Sequence, residues 1–179
     1  DQFDASTPSE VRVYAISENI AAIELIAADW YDAFTAVRTA DGWRLLDCVW
    51  GAIPEYQTPE QDAGEAAVVM AVAETFARGV ASADRALLDD AIHPNLTMRS
   101  YEQHDGVGRI VPITRESLYL GAHGAANLAS PTTPVHTTVH NATARTALVQ
   151  IEHGRATYFV QMLRINGDWR VINVTWAGA

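Results

Sequence analysis

Lysine is absent from this chain, cysteine occurs once, and no long apolar run is present. The twelve basic residues are therefore all arginines, and 22 acidic residues outnumber them to give a formal net charge of −10. Nucleic acids and anionic membranes bind clustered positive charge, and the sequence contains no such cluster. No stretch is long and apolar enough to span a bilayer. We therefore expect neither nucleic acid nor a membrane as a partner.

The single cysteine, Cys48, excludes an intrachain disulfide and a thiolate metal cluster. The lack of a disulfide framework fits a reducing compartment, so we expect a cytoplasmic protein. The chain opens on Asp1 rather than Met, which favours a fragment or a processed chain. Hydrophobic residues make up 49% of the 179 residues and charged residues 19%, which is typical of a globular protein with one domain, or one domain and a fragment.

The last ribbon of the chain, residues 156–177, predicts a β-hairpin. Two runs rich in β-branched and aromatic residues flank the turn sequence Asn166-Gly167-Asp168. Residues 30–51 match this ribbon without a gap when the chain is shifted by 126 positions. The identical pairs are Arg38 with Arg164, Trp43 with Trp169, Arg44 with Arg170 and Trp50 with Trp176. We interpret the match as an internal repeat whose first copy is present only as its last third.

The repeat divides the chain into three parts. Residues 1–53 are the C-terminal sheet of an incomplete first domain, residues 54–64 are a linker, and residues 65–179 are a complete domain. Cys48 falls on the apolar position of Val174, which predicts a buried structural thiol. The first part contains four predicted strands, Val11–Ile16, Ile20–Ala27, Trp30–Arg38 and Trp43–Trp50. No helix is predicted there, so the missing half of the first repeat, the second domain or another chain must cover the sheet.

The complete domain, with the linker that leads into it, alternates helices and strands. A capping signal at Thr58-Pro59-Glu60 predicts a helix to about Ala81, and further helices are predicted to begin near Asp84 and Thr114. The predicted strands are Asn95–Gln103, Gly108–Ile113, Val135–Glu152 with a break near Asn141, Ala156–Ile165 and Trp169–Ala177. Helices on one face of a strongly bent antiparallel sheet define an α+β cone with a pocket at its open end.

A family resemblance is carried by two stretches of the complete domain, ETFARGVASADRALLDDAIHPNLTMRSY and TYFVQMLRINGDWRVINVTW. Through them, residues 65–179 resemble the nuclear transport factor two-like (NTF2-like) superfamily and, within it, the family known as putative lumazine-binding proteins. The resemblance implies a cystatin-like or NTF2-like cone, here preceded by a four-stranded half-domain. Because the superfamily carries unrelated activities on one fold, the resemblance specifies the fold rather than the function.

The ketosteroid isomerases resemble this domain and keep their catalytic groups inside the cone. Their substrate-binding Tyr corresponds to Phe76, their general-base Asp to Ser100, and their protonated Asp to Gln161, which still donates a hydrogen bond. Two of the three groups are lost, so proton-shuttling chemistry of that type is not expected.

A ligand-binding pocket is the first functional hypothesis. Strand alternation predicts a mainly apolar pocket for a small apolar or heterocyclic molecule, in which Gln161 orients one carbonyl or ring nitrogen. The predicted lining residues are Phe76, Met98, Ser100, Phe159, Gln161 and Leu163. No cofactor is expected.

A cofactor-free enzyme is the alternative, and it would resemble the SnoaL-like cyclases and dehydratases or act as an isomerase or hydrolase. Ser100, Glu102 and His104 alternate toward the cone mouth on one predicted strand and would form its acid-base or hydrolytic set. A third hypothesis is a structural or dimerisation module whose pocket is filled by its own side chains. Members of the superfamily often pair through their sheets, so the partner is a second copy or a second polypeptide that completes the first repeat.

The other histidines are assigned structural roles. His136 and His140 share one strand face but have no third ligand in the sequence, so no metal site is expected. His123 is placed near a helix C-terminus, and His153, next to Gly154, is placed in a turn.

Overall fold

The computed structural model describes residues 9–27, 30–52, 63–104, 107–123 and 128–178. These ranges form two β-sheets and three α-helices. The predicted capping signal at Thr58 and nearly all of the predicted linker lie outside the described residues. Within these ranges, no helix is both long and apolar enough to cross a membrane.

The first sheet contains four antiparallel strands that follow one another in sequence order. They are β1 (Ser9–Ser17), β2 (Ile20–Ala27), β3 (Trp30–Thr39) and β4 (Gly42–Ala52). All four correspond to strands predicted from the alternation of apolar residues.

The second sheet contains six strands. They are β5 (Ile92–His104), β6 (Val107–Ile113), β7 (Val135–Ala142), β8 (Thr146–His153), β9 (Ala156–Ile165) and β10 (Asp168–Gly178). Their order across the sheet is β6-β5-β10-β9-β8-β7, and only the β5–β10 pair is parallel among these neighbours. Asn166 and Gly167 join β9 to β10 with φ values of 54° and 94°, as a type I′ turn requires.

Three helices accompany the second sheet. They are α1 (Ala63–Ser82), α2 (Arg85–Ala91) and α3 (Arg115–Tyr119). The Asp84 side chain caps α2 by accepting hydrogen bonds from the backbone N–H groups of Ala86 and Leu87. Thr114 caps α3 by accepting a hydrogen bond from the N–H of Ser117. Both caps lie where the sequence predicts them.

The helices cover one face of the six-stranded sheet. α1 buries Val69, Phe76 and Val80 in a core shared with β8, β9 and β10. The rings of Phe76 and Tyr158 meet edge to face, with centroids 6.1 Å apart and an interplanar angle of 86°. This packing directs the even-numbered side chains at the centre of β9 toward the helices. It confirms the predicted α+β class with helices on one face of a curved sheet.

The four-stranded sheet packs against the opposite face of the six-stranded sheet. Ile20, Ala22 and Val37 of the first sheet form a second apolar core with Leu148 and Phe159 of the second. The sequence leaves open what covers the first sheet, and the structure shows that the six-stranded sheet covers one of its two faces.

Cys48 is exposed, so the prediction of a buried thiol is wrong. The physical reason is that Cys48 lies on the face of the first sheet that points away from the six-stranded sheet, and no described helix covers that face. Val174, the residue on which it falls in the repeat, points instead toward the helices and is fully buried.

Candidate functional site

A row of side chains crosses the helix-facing side of the six-stranded sheet near one end of its strands. The pairing register places Ser100, Trp176, Tyr158, Ile151 and Thr137 opposite one another on β5, β10, β9, β8 and β7. The ring centroids of Tyr158 and Trp176 lie 6.2 Å apart. We call these five residues the cross-sheet row.

Polar groups of this row, and of His153 two residues beyond it on β8, are buried without hydrogen-bond partners. Within the described ranges, Trp176 Nε1, Thr137 Oγ1 and both ring nitrogens of His153 have none. Trp176 is 4% exposed and His153 is fully buried, two residues beyond Ile151 on the same face of β8. Because buried polar groups in native proteins are nearly always bonded, these atoms make this part of the sheet a candidate binding site, where a bound molecule would supply the partners.

Ser100 and Glu102 form a polar pair at the β5 end of the row. Ser100 Oγ donates a hydrogen bond to Glu102 Oε1 at 3.0 Å, and Ser100 is buried while Glu102 is half-buried. The third residue of the predicted set, His104, ends β5, but its side chain lies outside the described part of the structure. The structure therefore brings two of the three residues together, and their catalytic role stays a prediction.

Burial favours the uncharged forms of two rings, Tyr158 and His123. It raises the pKa of Tyr158 above the ordinary value of a phenol. It lowers the pKa of His123, whose ring nitrogens also have no partner among the residues described. A neutral imidazole has one donor and one acceptor nitrogen, so these groups offer uncharged hydrogen bonds.

Leu128 closes the row from the side of the loop that precedes β7. A Cβ atom on Gly178 would overlap the Leu128 side chain and touch Trp176, so Leu128 lies against β10 beside the indole. The Leu128 carbonyl accepts a hydrogen bond from the Arg155 N–H at 3.1 Å, which fixes the loop to the turn between β8 and β9.

The six residues predicted to line the pocket are divided between two faces of the sheet. Phe76, Met98 and Ser100 lie on the helix-facing side. Phe159 faces the first sheet, and alternation along β9 places Gln161 and Leu163 with it.

The prediction chose the wrong face for the three β9 residues. Every residue from Tyr158 to Met162 is buried, because β9 is covered on both sides, so the hydrophobic period does not distinguish the faces. The ligand contacts assigned to Phe76, Met98 and Ser100 stay a prediction.

Gln161 is bonded at both ends of its amide within the interface between the sheets. Its Nε2 donates to the Ala33 carbonyl at 2.7 Å, and its Oε1 accepts from Asn173 Nδ2 at 2.8 Å. Gln161 is fully buried there. It therefore joins the two sheets and does not face the helix side where the ligand was expected.

A surface cleft of about 420 Å³ lies elsewhere, between α2, the start of β5 and the β9–β10 turn. Asp89 on its rim accepts hydrogen bonds from Tyr119 and Arg115, and these bonds hold the pKa of Asp89 below its usual value. The charges of this cluster already pair with one another, so the cross-sheet row is the better candidate site. In the part of the chain that the structure describes, no three His, Cys, Asp or Glu residues are grouped as a metal site requires.

The architecture defines the class of protein as an NTF2-like cone. An NTF2-like protein of unknown function from Silicibacter pomeroyi is similar, with a TM-score of 0.52 and 16% identity over 65% of this chain and 98% of that chain. An NTF2-like protein of unknown function from Shewanella baltica gives a TM-score of 0.49 and 15% identity over 65% and 94%. A protein of unknown function with a cystatin-like fold from Nostoc punctiforme gives 0.47 and 14% over 65% and 92%.

The family is defined by a match over residues 64–177, which is more than half of the chain. This stretch matches the family model described as "Putative lumazine-binding", and the chain belongs to that family. No curated protein matches the chain.

Sequence reasoning missed Trp176, Tyr158 and His153 as site residues. The predicted repeat accounts for Trp176 as a sheet residue, and the neighbouring Gly154 favours a turn for His153, so the sequence marks neither residue as functional. One usable signal is present, because His153 continues the alternation of Val149 and Ile151 along a single strand face.

Proposed function

We propose that this protein binds a small, flat heterocyclic molecule on the cross-sheet row, between the sheet and its helices. The observation that carries the proposal is that Trp176 and His153 bury nitrogen atoms without partners on one face of the sheet. A molecule that bonded these nitrogens would remove the free-energy penalty of leaving them unsatisfied, which is about 1–3 kcal/mol for each group.

The two residues offer complementary hydrogen bonds. The indole N–H of Trp176 only donates, so it would bind a carbonyl oxygen or an unprotonated ring nitrogen. His153 offers two ring nitrogens, so it would bind a ligand edge that carries hydrogen-bonding groups. Phe76 and Met98, which are buried in the same core, would form the apolar part of the pocket.

Family membership supports this class of ligand. The family description names lumazine, a fused two-ring heterocycle whose edge carries carbonyl oxygens, ring nitrogens and N–H groups. These are the groups that an indole N–H and an imidazole bind. Access would require movement of Leu128, because this side chain packs against β10 beside Trp176.

Calorimetric titration with lumazine tests the proposal. We expect wild-type protein to bind with a Kd in the micromolar range, and Trp176→Phe to weaken binding roughly tenfold, since it removes one hydrogen bond worth about 1.4 kcal/mol and keeps an aromatic ring. Trp50→Phe is the matched control, because Trp50 holds the equivalent position in the first sheet and is exposed there. Absence of wild-type binding at about 1 mM lumazine, or equal weakening by both variants, would contradict the proposal.

A cofactor-free enzyme is the second candidate, and the hydrogen bond between Ser100 and Glu102 favours it. A reaction that used this pair with His104 would show a pH-dependent rate. We expect Ser100→Ala and Glu102→Gln each to abolish hydrolysis of a p-nitrophenyl ester if this candidate is correct. A rate that is indistinguishable from buffer for the wild-type protein would eliminate ester hydrolysis and leave the binding function.

A further inference from the structure

The outer face of the first sheet is apolar and uncovered by any described residue. This face points away from the six-stranded sheet, and we call it the outer face. Trp50 is 71% exposed, Val11 is 64% exposed and Leu45 is 62% exposed. Its exposed apolar residues are Val11, Val13, Ile16, Trp43, Leu45 and Trp50. Contiguous apolar surface of this kind marks a site that another structural element covers.

The two sheets correspond strand by strand at the interval of 126 residues found in the sequence. Adding 126 to the bounds of β2, β3 and β4 gives the bounds of β8, β9 and β10, and β1 starts 126 residues before β7. The irregularities in pairing also coincide. The β1–β2 register shifts between Val13 and Ala15, and the β7–β8 register shifts between Val139 and Asn141. This agreement supports the predicted repeat independently of residue identity.

The outer face corresponds to the face that the helices cover in the second copy. Trp43, Leu45 and Trp50 are exposed, whereas their equivalents Trp169, Val171 and Trp176 belong to the helix-facing core. The outer-face positions of β2 and β3 also have equivalents in that core, which are Ala147, Val149, Ile151, Ala156, Tyr158, Val160 and Met162. The first sheet therefore presents a face of helix-binding type without a described helix on it.

The edge of the first sheet at β4 also indicates that another structural element binds there. In the second copy, the outer edge of β10 pairs with β5 in parallel. Among the described residues, the corresponding edge of β4 has no strand beside it. An edge strand next to an uncovered apolar face would pair readily with another segment.

We propose that the outer face binds a helical layer equivalent to α1–α3, contributed by a segment of the same polypeptide that precedes Asp1. The choice of occupant rests on the order of elements in the second copy, where the helices and the β5–β6 pair lie before the four antiparallel strands. The same order in the first copy places its helices upstream of β1. The segment would be about as long as residues 63–134, and its strand equivalent to β5 would pair with the edge of β4.

Cys48 provides the experiment, since it lies on the outer face and is the only cysteine of the sequence. The protein is isolated from its source, its intact mass is measured, and Cys48 is labelled with a maleimide under native conditions beside the 179-residue chain. We expect the source polypeptide to be heavier than 19.5 kDa through an N-terminal extension, and its Cys48 to react at least about 100-fold more slowly than in the 179-residue chain.

Four outcomes would overturn the proposal. They are a 19.5 kDa source polypeptide whose Cys48 reacts freely, protection within a dimer of 19.5 kDa chains, protection by a separate polypeptide, and a longer polypeptide whose Cys48 still reacts freely. The second outcome would assign the face to another copy of this chain, and the third would assign it to a different protein.

A pair of substitutions gives a second readout. In the source-length protein, Leu45→Arg should lower the Tm by roughly 5 °C or more, because it places a charge in a covered apolar interface. Leu120→Arg is the matched control, since Leu120 is 71% exposed and lies at the end of α3. Equal Tm values for the two variants would contradict the proposal.

Discussion

Tyr14 and His140 stack with ring centroids 5.1 Å apart and an interplanar angle of 18°. They are separated by 126 residues, so each is the equivalent of the other in the two sheets. Ser17 bonds Thr157 at 3.1 Å, and Thr143, the equivalent of Ser17, lies 3.3 Å from Tyr31, the equivalent of Thr157. The two sheets therefore pack with approximate twofold symmetry, and a contact between equivalent residues lies at its axis.

The hydroxyls of Thr35 and Thr175 lie 2.8 Å apart in the buried interface between the sheets. Thr35→Val or Thr175→Val alone should lower the free energy of unfolding by about 1–2 kcal/mol, because each leaves the other hydroxyl with a poorer partner. The double variant should lose less than the sum of the two single losses. Urea unfolding of the four proteins measures this coupling, and strictly additive losses would contradict a direct bond.

Arg99 forms an ion pair with Asp47 across the same interface, where the Asp47 side chain is only 6% exposed. Arg99→Met should lower the free energy of unfolding by about 3 kcal/mol, because it leaves a nearly buried carboxylate without its cation. Arg85→Met is the control, since Arg85 pairs with Asp89 on the surface and such pairs contribute about 0–1 kcal/mol. The prediction fails if chemical denaturation gives equal losses for the two variants.

Gly154 and Gly167 both have positive φ, at 64° and 94°, but their surroundings differ. A Cβ on Gly154 would overlap the Leu128 carbonyl, whereas a Cβ on Gly167 would meet no atom within 4 Å. Gly167→Ala should therefore lower the free energy of unfolding by about 1 kcal/mol through backbone strain alone. Gly154→Ala should lower it by about 3 kcal/mol because overlap adds to strain. Thermal unfolding that ranks the two variants in the opposite order would refute the packing described for Leu128.

His140 makes stability depend on pH near neutrality. Burial lowers its pKa below 6.5, while its hydrogen bond to Gln150 opposes that shift. The unfolded chain therefore binds a proton more readily than the folded protein, and stability should decrease as the pH falls below about 6.5. His140→Phe keeps a ring against Tyr14 and should lose less stability between pH 7.5 and pH 5.5 than the wild-type protein. His136→Phe, on the exposed face of β7, serves as the control and should retain the wild-type pH dependence.

Local chemistry explains which parts of the fold could be predicted from the sequence. Asp84 and Thr114 cap helices, and Asn166-Gly167 forms a type I′ turn, because short side chains and positive φ values satisfy these geometries wherever they occur. The four strands of the first sheet follow from alternation of apolar residues in the same way. These features depend only on neighbouring residues.

The candidate site was less accessible to prediction because its features depend on tertiary packing. β9 is buried on both sides, so the sequence does not show that Tyr158 faces the helices and Gln161 faces the other sheet. Cys48 and Val174 have equivalent positions but opposite exposure, because only one of the two sheets has described helices on that face. The missing partners of Trp176 and His153 become visible only when all neighbouring atoms are in place.

The approximate symmetry of the interface is broken in its charge. Tyr14 donates a hydrogen bond to the fully buried Glu24 at 2.6 Å, and the equivalent pair is His140 with Gln150, 3.2 Å apart. Two identical subunits would have to bury the carboxylate twice, because every substitution in a homodimer appears in both halves. Two sheets of one chain mutate separately, so one half can carry a carboxyl group while the other carries an amide. The joined sheets can thus evolve different chemistry on either side of one axis, a freedom that self-association does not allow.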